Sequence, residues 1–187
     1  MAPIIFVTRN ESKASEYKKI FNSHCVPFIA EPADLTEIQD IDAEKIVREK
    51  AISAYRQIGR KLFVEHTSFE LEFLNGFPGG LTSHFIETVG ETKICELFGM
   101  DGRALASGVT RIAYCDGKRI LVFAGRMTGR VASQPAGGVD RWSAFGWNRI
   151  FIPAGFNKTL AEIGIEVKNE ISMRKKAALE LIRHLEA

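Results

Sequence analysis

LFVEHT, residues 62–67, is a short apolar run that ends in polar residues. A run of this kind is typical of a strand buried in a sheet. Burying Glu65 or His66 costs free energy, because polar groups lose their hydration in a protein interior unless they gain partners. A histidine in such a place is more often a hydrogen-bonded structural residue than a ligand or a base. We therefore predict a buried strand whose polar end belongs either to the fold or to a site.

The segments before this strand alternate between strand and helix patterns. A strand is predicted over residues 4–8, and a helix with Ser12 as its cap follows it. A second strand is predicted over residues 26–30, before a long helix that Asp42 caps and Gly59 ends. This order of strand, helix, strand and helix is typical of an α/β fold.

The segments after the strand contain more strand patterns. Phe69, Leu71 and Phe73 alternate with glutamates, which predicts a half-exposed or edge strand. Asp116 and Gly117 predict a hairpin turn. The other predicted elements are helices between residues 83 and 98, strands over 104–115, 119–123, around Val131 and over 150–152 before Pro153, and a C-terminal helix with Ile171, Ala178, Leu181, Ile182 and Leu185 on one face. We predict an α/β fold with a mixed β-sheet and flanking helices, in a single domain over residues 1–187.

The composition is that of an ordinary globular chain. Of 187 residues, 45% are hydrophobic and 26% are charged, which is enough to bury a core without disulfides. Cys25, Cys95 and Cys115 are far apart and odd in number, which favours thiols in a reducing compartment. The net charge of +2 is too small for a general nucleic-acid surface, and no apolar run is long enough to span a membrane. We expect a cytoplasmic protein that binds neither nucleic acid nor membranes.

Two polar clusters lie near the ends of the first predicted strands. Thr8, Asn10 and Lys13 surround the start of a helix, where backbone N–H groups suit a phosphate. The alternative for this cluster is a capped first turn with a solvated lysine. Glu37 lies in a loop and could hold Mg²⁺, which prefers carboxylate and phosphate oxygens. The alternative is a solvated surface acid.

A further cluster lies in the C-terminal half of the chain. An aromatic pair flanks Gly146, namely Phe145 and Trp147, and could stack on a nucleobase. Basic and hydroxyl side chains at Lys168, Ser172 and Arg174 could bind the edges of a base, and the alternative is core aromatics beside a basic helix start. Taken singly, each cluster fits its structural interpretation as well as its functional one.

The joint order and spacing of these motifs is more specific, and it covers essentially the whole chain. The motifs are Thr8-x-Asn10-x-x-Lys13, Asp34-Leu35-x-Glu37-x-Gln39, Val64-Glu65-x-Thr67, Leu74-Asn75-Gly76-x-Pro78-Gly79, Phe145-Gly146-Trp147, Ile150-Phe151-Ile152-Pro153-x-Gly155-Phe156-x-Lys158-Thr159-x-Ala161-Glu162 and Lys168-Asn169-x-Ile171-Ser172-x-Arg174. Together they resemble the inosine triphosphate pyrophosphatase family.

The resemblance implies two lobes around a nucleotide cleft, a homodimer, and Mg²⁺-dependent hydrolysis of ITP, dITP and XTP to the monophosphate and pyrophosphate. It implies that His66, in place of the usual Asp, and Lys13 have catalytic roles, and that Glu37 and Glu65 bind the metal. The substrate-binding residues that it implies are Thr8, Asn10, Lys13, Phe145, Gly146, Trp147, Asn148, Lys168, Ser172 and Arg174.

Several positions depart from the family pattern. His66 and Asn148 stand where the family usually has Asp, Met173 where it has His, and Arg9 where it often has Gly. The Gly-Pro step of the family is Gly79-Gly80 here. Losing an acid–base group lowers a rate by about 10²–10⁴-fold. Imidazole is also a poor ligand for Mg²⁺, although a fair one for Mn²⁺ or Zn²⁺.

These departures favour binding over hydrolysis. Replacing an acid beside a polyanion removes a repulsion and can raise the affinity for a triphosphate. Our first expectation is therefore a protein that binds ITP, dITP or XTP with little turnover and passes a signal to a protein partner. The alternative is an active pyrophosphatase that uses His66 as its base or Mn²⁺ as its metal. A third interpretation, a structural subunit without a ligand, disagrees with the presence of Lys13, Trp147, Lys168 and Arg174.

Overall fold

The structure, a computed structural model, describes residues 2–100, 102–138 and 146–186. Phe145, which we expected to contact a base, lies outside these ranges. In the described part of the chain, no helix has the length and apolar character needed to cross a membrane.

The described residues form one mixed sheet with helices around it. The strands are β1 (Ile4–Val7), β2 (Phe28–Glu31), β3 (Leu62–Leu71), β4 (Pro78–Gly79), β5 (Leu105–Cys115), β6 (Ile120–Val131) and β7 (Phe151–Pro153). The helices are α1 (Glu11–Ser23), α2 (Ala43–Ile58), α3 (Thr82–Val89), α4 (Glu91–Phe98), α5 (Leu160–Ile163), α6 (Ile165–Ile171) and α7 (Met173–Glu186), and residues Glu72–Leu74 form a 3₁₀ turn. The strand order is β2-β1-β3-β5-β6-β7, and β4 pairs with β3.

The pairing directions confirm the predicted mixed sheet. β1 is parallel to both β2 and β3, as expected when a helix connects each pair of strands. β3 with β4, and β6 with β7, are antiparallel. The α/β fold class predicted from the sequence is therefore correct.

The chain divides into two compact units. Unit 1 comprises Met1–Thr67, Thr110–Gly125 and Met173–Ala187, and unit 2 comprises Ser68–Val109 and Arg126–Ser172. The long strands β3, β5 and β6 each contribute residues to both units.

In unit 1, side chains alternate between the two faces of the sheet, as strand geometry requires. Phe6 and Phe63 stack with ring centroids 4.7 Å apart on the face that α1 and α7 cover. Val7 and Val64 lie on the other face, in the cluster that contains Val47 of α2. Residues that follow one another at the end of β3 therefore belong to opposite sides of the sheet.

In unit 2, the far end of β3 is buried. Phe69 stacks on Trp147 with ring centroids 5.3 Å apart, and its backbone N–H donates to Thr82 Oγ1 over 2.7 Å. Phe69 and Leu71 are both fully buried. Buried Phe69 and Leu71 alternate with the less buried Glu70, as the half-exposed alternative predicted, whereas the edge alternative was wrong, because β3 lies between β1 and β5. The strand also ends before Phe73, which is 55% exposed in the 3₁₀ turn.

Several local predictions are confirmed. Asp42 caps α2, since its Oδ1 accepts from the backbone N–H of Glu44 over 2.8 Å. Gly59 ends that helix in the left-handed conformation, with φ of 66°. Asp116 and Gly117 lie between β5 and β6, and two helices occupy the segment between residues 82 and 98.

Other boundaries differ from the predictions. Asn10, not Ser12, caps α1, because its extended backbone precedes the first helical residue and its Oδ1 accepts from Lys13 N over 3.0 Å. Val131 ends β6 and does not start a separate strand. Ile171 ends α6 and is not part of the C-terminal helix, because Ser172 is extended, with ψ of 144°, and separates α6 from α7.

Candidate functional site

A pocket opens in unit 1 where β1 meets α1. Thr8 follows β1, and its Oγ1 accepts from the backbone N–H of Asn10 over 3.1 Å. Asn10 then caps α1, a helix of 13 residues whose first N–H groups point out of its N-terminus. The pocket measures about 130 Å³ and is lined by Phe6, Val7, Thr8, Arg9, Lys13, Ala33, Leu35, Glu37, Lys50 and Glu65. The structure thus brings Thr8, Lys13, Glu37 and Glu65 to one pocket, and their roles toward a ligand stay predictions.

Glu65 lies at the centre of a buried charge network. Its carboxylate accepts from Arg174 through Nε at 2.8 Å and Nη2 at 2.9 Å, and from the Tyr17 hydroxyl at 2.7 Å. Lys13 Nζ lies 2.8 Å from Oε1. Burial opposes ionisation of this group, but the charges of Arg174 and Lys13 outweigh it and hold the pKa of Glu65 well below its usual value. Glu65 is therefore an ionised internal counterion.

This arrangement bears on two predicted roles. Both carboxylate oxygens of Glu65 contact donors of the protein, whereas we expected them to face a metal. Arg174, at the start of α7, also donates to Glu16, so its guanidinium is held by two carboxylates. The metal role of Glu65 and the base-binding role of Arg174 stay predictions, and the structure gives each side chain a different set of partners.

On the opposite face of the sheet, Glu37 is the shared partner of Lys50 and His66. Lys50 Nζ lies 2.5 Å from Glu37 Oε2, and His66 Nδ1 lies 3.2 Å from Oε1. The hydrogen bond from His66 lowers the pKa of Glu37 to about 2, with Lys50 acting in the same direction and burial opposing both. Glu37 is therefore ionised at neutral pH. Nε2 of His66 is buried without a hydrogen-bond partner among the described residues.

Lys50 was missed by the sequence analysis. It lies on α2 between Val47 and Ala54, where the helical repeat predicts an apolar side chain on the buried stripe. A lysine at such a position is unusual, because its ammonium must reach a partner or water. That interruption of the stripe was the available signal.

The pocket offers few ligands for a metal ion. Within residues 2–100, 102–138 and 146–186, no three His, Cys, Asp or Glu side chains are arranged to hold a metal. Glu37 fits as one oxygen ligand of a divalent cation that arrives with a triphosphate, since Mg²⁺ commonly combines one or two carboxylates with substrate phosphates. His66 is beside Glu37, but its Nδ1 contacts Oε1 of that carboxylate and its Nε2 is buried, so neither nitrogen faces the pocket in this arrangement.

The other predicted substrate residues belong to unit 2. Trp147 is 8% exposed, and its Nε1 has no hydrogen-bond partner among the described residues. Gly146 has φ of +61°, which favours glycine in the turn before Trp147. Asn148, Lys168 and Ser172 are buried, and Lys168 Nζ donates to Asn169 Oδ1 over 3.1 Å. That these side chains act on the same nucleotide as the pocket of unit 1 stays a prediction.

Comparison with known proteins identifies relatives along the whole chain. Residues 4–184 match the Ham1 family. The chain is 33% identical over 175 residues to the dITP/XTP pyrophosphatase of Methanopyrus kandleri, covering 93% of this chain and 91% of the relative. It is 34% identical over 189 residues to the inosine triphosphate pyrophosphatase of Kluyveromyces lactis, covering 97% and 95%.

A solved structure supports the fold. The HAM1 protein from Coxiella burnetii superposes with a TM-score of 0.85 at 24% identity, over 100% of both chains. The sequence relatives confirm the resemblance inferred from the motifs. The chain therefore belongs to the Ham1 family.

Proposed function

We propose that this protein hydrolyses deaminated purine nucleoside triphosphates, namely ITP, dITP and XTP, to the monophosphate and pyrophosphate. The observation that carries the proposal is the pocket at the start of α1, lined by Thr8, Arg9, Lys13 and Lys50, in a chain whose relatives are named dITP/XTP and inosine triphosphate pyrophosphatases. In this reaction water attacks the α-phosphorus, the α–β phosphoanhydride bond breaks, and pyrophosphate leaves.

The pocket is suited to a polyphosphate. The pocket lies at the N-terminus of α1, where backbone N–H groups and the helix dipole attract negative charge. Lys13 and Lys50 add two ammonium groups, each held in place by a carboxylate of the protein. Because their positions are set before the ligand arrives, little conformational entropy is lost when they bind phosphate.

Glu37 and His66 are the groups that we assign to water activation. A divalent cation bound with the substrate would neutralise phosphate charge and polarise the phosphorus–oxygen bonds. Glu37 is the carboxylate that would contact it. Nδ1 of His66 contacts Glu37, and its buried Nε2 has no partner among the described residues, so the ring must turn toward the pocket before Nε2 can accept a proton from water.

A second candidate function is binding with little turnover, followed by a signal to a protein partner. One specific observation favours it. Both carboxylates that line the pocket already contact donors of the protein, Glu65 through Arg174 and Lys13 and Glu37 through Lys50 and His66. The residue next to Glu65 is His66 instead of the acid that the family usually has. The pocket therefore supplies fewer oxygen ligands for a metal than the resemblance implies.

One set of assays separates the two functions. Pyrophosphate release from ITP, dITP and XTP, with ATP and GTP as controls, is measured with Mg²⁺ and with Mn²⁺, and dITP binding is measured by calorimetry. Hydrolysis at enzymatic rates, on the order of 1–10³ per second, supports the pyrophosphatase and rules out the binding protein. Binding without pyrophosphate release, together with a gain of Mg²⁺-dependent release in His66→Asp, supports the binding protein.

A further inference from the structure

We propose that Arg9 is a mobile phosphate-binding residue of this pocket. Its side chain gives up its ion pair with Asp34 and binds the polyphosphate of the substrate instead. The inference rests on the proposed function in one respect, that the ligand of the pocket carries a polyphosphate. It assigns a role to a residue that the motif analysis noted only as a departure from the family pattern.

The partners of the lining cations single out Arg9. Lys13 pairs with buried Glu65, and Lys50 pairs with half-buried Glu37. Arg9 pairs with Asp34 at 3.2 Å, and the two side chains are 68% and 85% exposed. Ion pairs between exposed side chains contribute little to stability, whereas separating a buried pair leaves a charge without compensation. Arg9 is therefore the lining cation that can exchange its partner at the lowest free-energy cost.

The position of Arg9 suits a phosphate ligand. It lies between Thr8, which ends the β1 segment, and Asn10, which caps α1, so its side chain starts beside the N–H groups of the helix. A guanidinium can donate two parallel N–H···O bonds to one phosphate, which an ammonium cannot. Arg9 thus adds a fork-shaped donor to the fixed charges of Lys13 and Lys50.

Asp34 should weaken the binding of a polyanion, whereas Arg9 should strengthen it. While the pocket is empty, its carboxylate compensates the charge of Arg9. Once a polyphosphate enters, the same carboxylate is a like charge near the ligand and competes for the guanidinium. Removing Asp34 and removing Arg9 should therefore change the affinity in opposite directions, which a general loss of fold cannot do.

The test uses inorganic tripolyphosphate, which has no base and requires no turnover. Its binding to the full-length protein is measured by calorimetry with EDTA present, for the wild type, Arg9→Ala and Asp34→Ala. Arg183→Ala is the matched control, because Arg183 also belongs to unit 1, is 67% exposed, pairs with the exposed Glu180 and does not line the pocket. Thermal melting of each variant verifies the fold.

We expect Arg9→Ala to bind tripolyphosphate about ten-fold more weakly, the size expected for losing charge-assisted hydrogen bonds. Arg183→Ala should stay within about two-fold of the wild type, since Arg183 lies in the last turn of α7 and exposed charges away from the ligand are screened by salt. Asp34→Ala should bind about two- to five-fold more tightly. Arg9→Ala binding within two-fold of the wild type would overturn the proposal, as would weaker binding by Asp34→Ala or no binding by the wild type.

A dITP turnover assay on the same proteins keeps this inference distinct from the proposed function. If the wild type does not hydrolyse dITP but tripolyphosphate binding depends on Arg9, the pyrophosphatase proposal fails and the role of Arg9 stands. If the wild type hydrolyses dITP and Arg9→Ala leaves both tripolyphosphate binding and the KM for dITP unchanged, the role of Arg9 fails and the pyrophosphatase stands.

Discussion

Replacing Glu65 by Gln is the perturbation whose consequences follow most directly from the structure. The change keeps the shape of the side chain but removes the charge that Arg174 and Lys13 share. Glu65 and Arg174 are 2% and 7% exposed, so water cannot replace the lost partner. Removing one member of a buried ion pair costs about 3–5 kcal/mol. For a chain of 187 residues, each kcal/mol lowers Tm by about 2–4 °C, so we expect a decrease of roughly 6–20 °C.

Thermal melting of purified variants checks this magnitude. Glu31→Gln is the matched control, because Glu31 pairs with Arg60 at 2.7 Å on the surface of the same unit. An exposed pair of this kind is worth about 0–1 kcal/mol. The double variant Glu65→Gln/Arg174→Gln should lose less stability than the sum of its two single variants, because the partners contact each other. A Glu65→Gln variant with the same Tm as the Glu31→Gln control would refute the reasoning.

The same network predicts how stability depends on pH. The folded-state pKa of Glu65 lies well below its usual value, so between the two values the unfolded chain binds more protons than the folded one. The contribution of Glu65 is fully present above the unfolded pKa of about 4.3, and it is lost as pH falls toward the folded value. The difference in unfolding free energy between the wild type and Glu65→Gln should therefore narrow below about pH 4. A difference that stays constant down to acid unfolding would contradict this.

Three further predictions concern the pocket. Lys13→Ala should weaken dITP binding more than inosine binding in calorimetry, because an ammonium at a helix N-terminus binds phosphate and not the base. Equal losses of affinity for the two ligands would show that this segment does not bind phosphate. His66→Ala should lower the rate of pyrophosphate release from dITP by about 10²–10⁴-fold, and an unchanged rate would show that the imidazole takes no part in proton transfer. Lys50→Ala should raise the pKa of Glu37 above its value of about 2 in an NMR titration, because Lys50 stabilises the ionised carboxylate, and an unchanged pKa would contradict the observed ion pair.

Features that depend on neighbouring residues could be predicted from the sequence. Asp42 and Gly59 bound α2 as expected, because a cap and a left-handed glycine are satisfied within one helix turn. The turn at Asp116 and Gly117 was predicted for the same reason. The first cap was misplaced by two residues, because Asn10 and Ser12 are both good caps and only the backbone conformation decides between them.

Features that depend on distant residues could not be predicted. Glu65 and Arg174 are 109 positions apart. Their pairing requires α7 to cover the face of the sheet toward which the side chain of Glu65 points. Lys50 contacts Glu37 only because α2 covers the other face. From the sequence alone, Glu65 was therefore assigned to a metal, and Lys50 was left out of the site.

The sequence by itself determined the family and the α/β class, because the order and spacing of motifs are known even when the contacts between their residues are not. It also determined which polar groups stand near strand ends, including the exchange of the usual acid for His66. Only the tertiary structure decided how those groups are paired: Glu65 with Lys13 and Arg174, and Glu37 with Lys50 and His66. The physical reason is that successive side chains of a strand point to opposite faces, so their partners come from whichever helix covers each face.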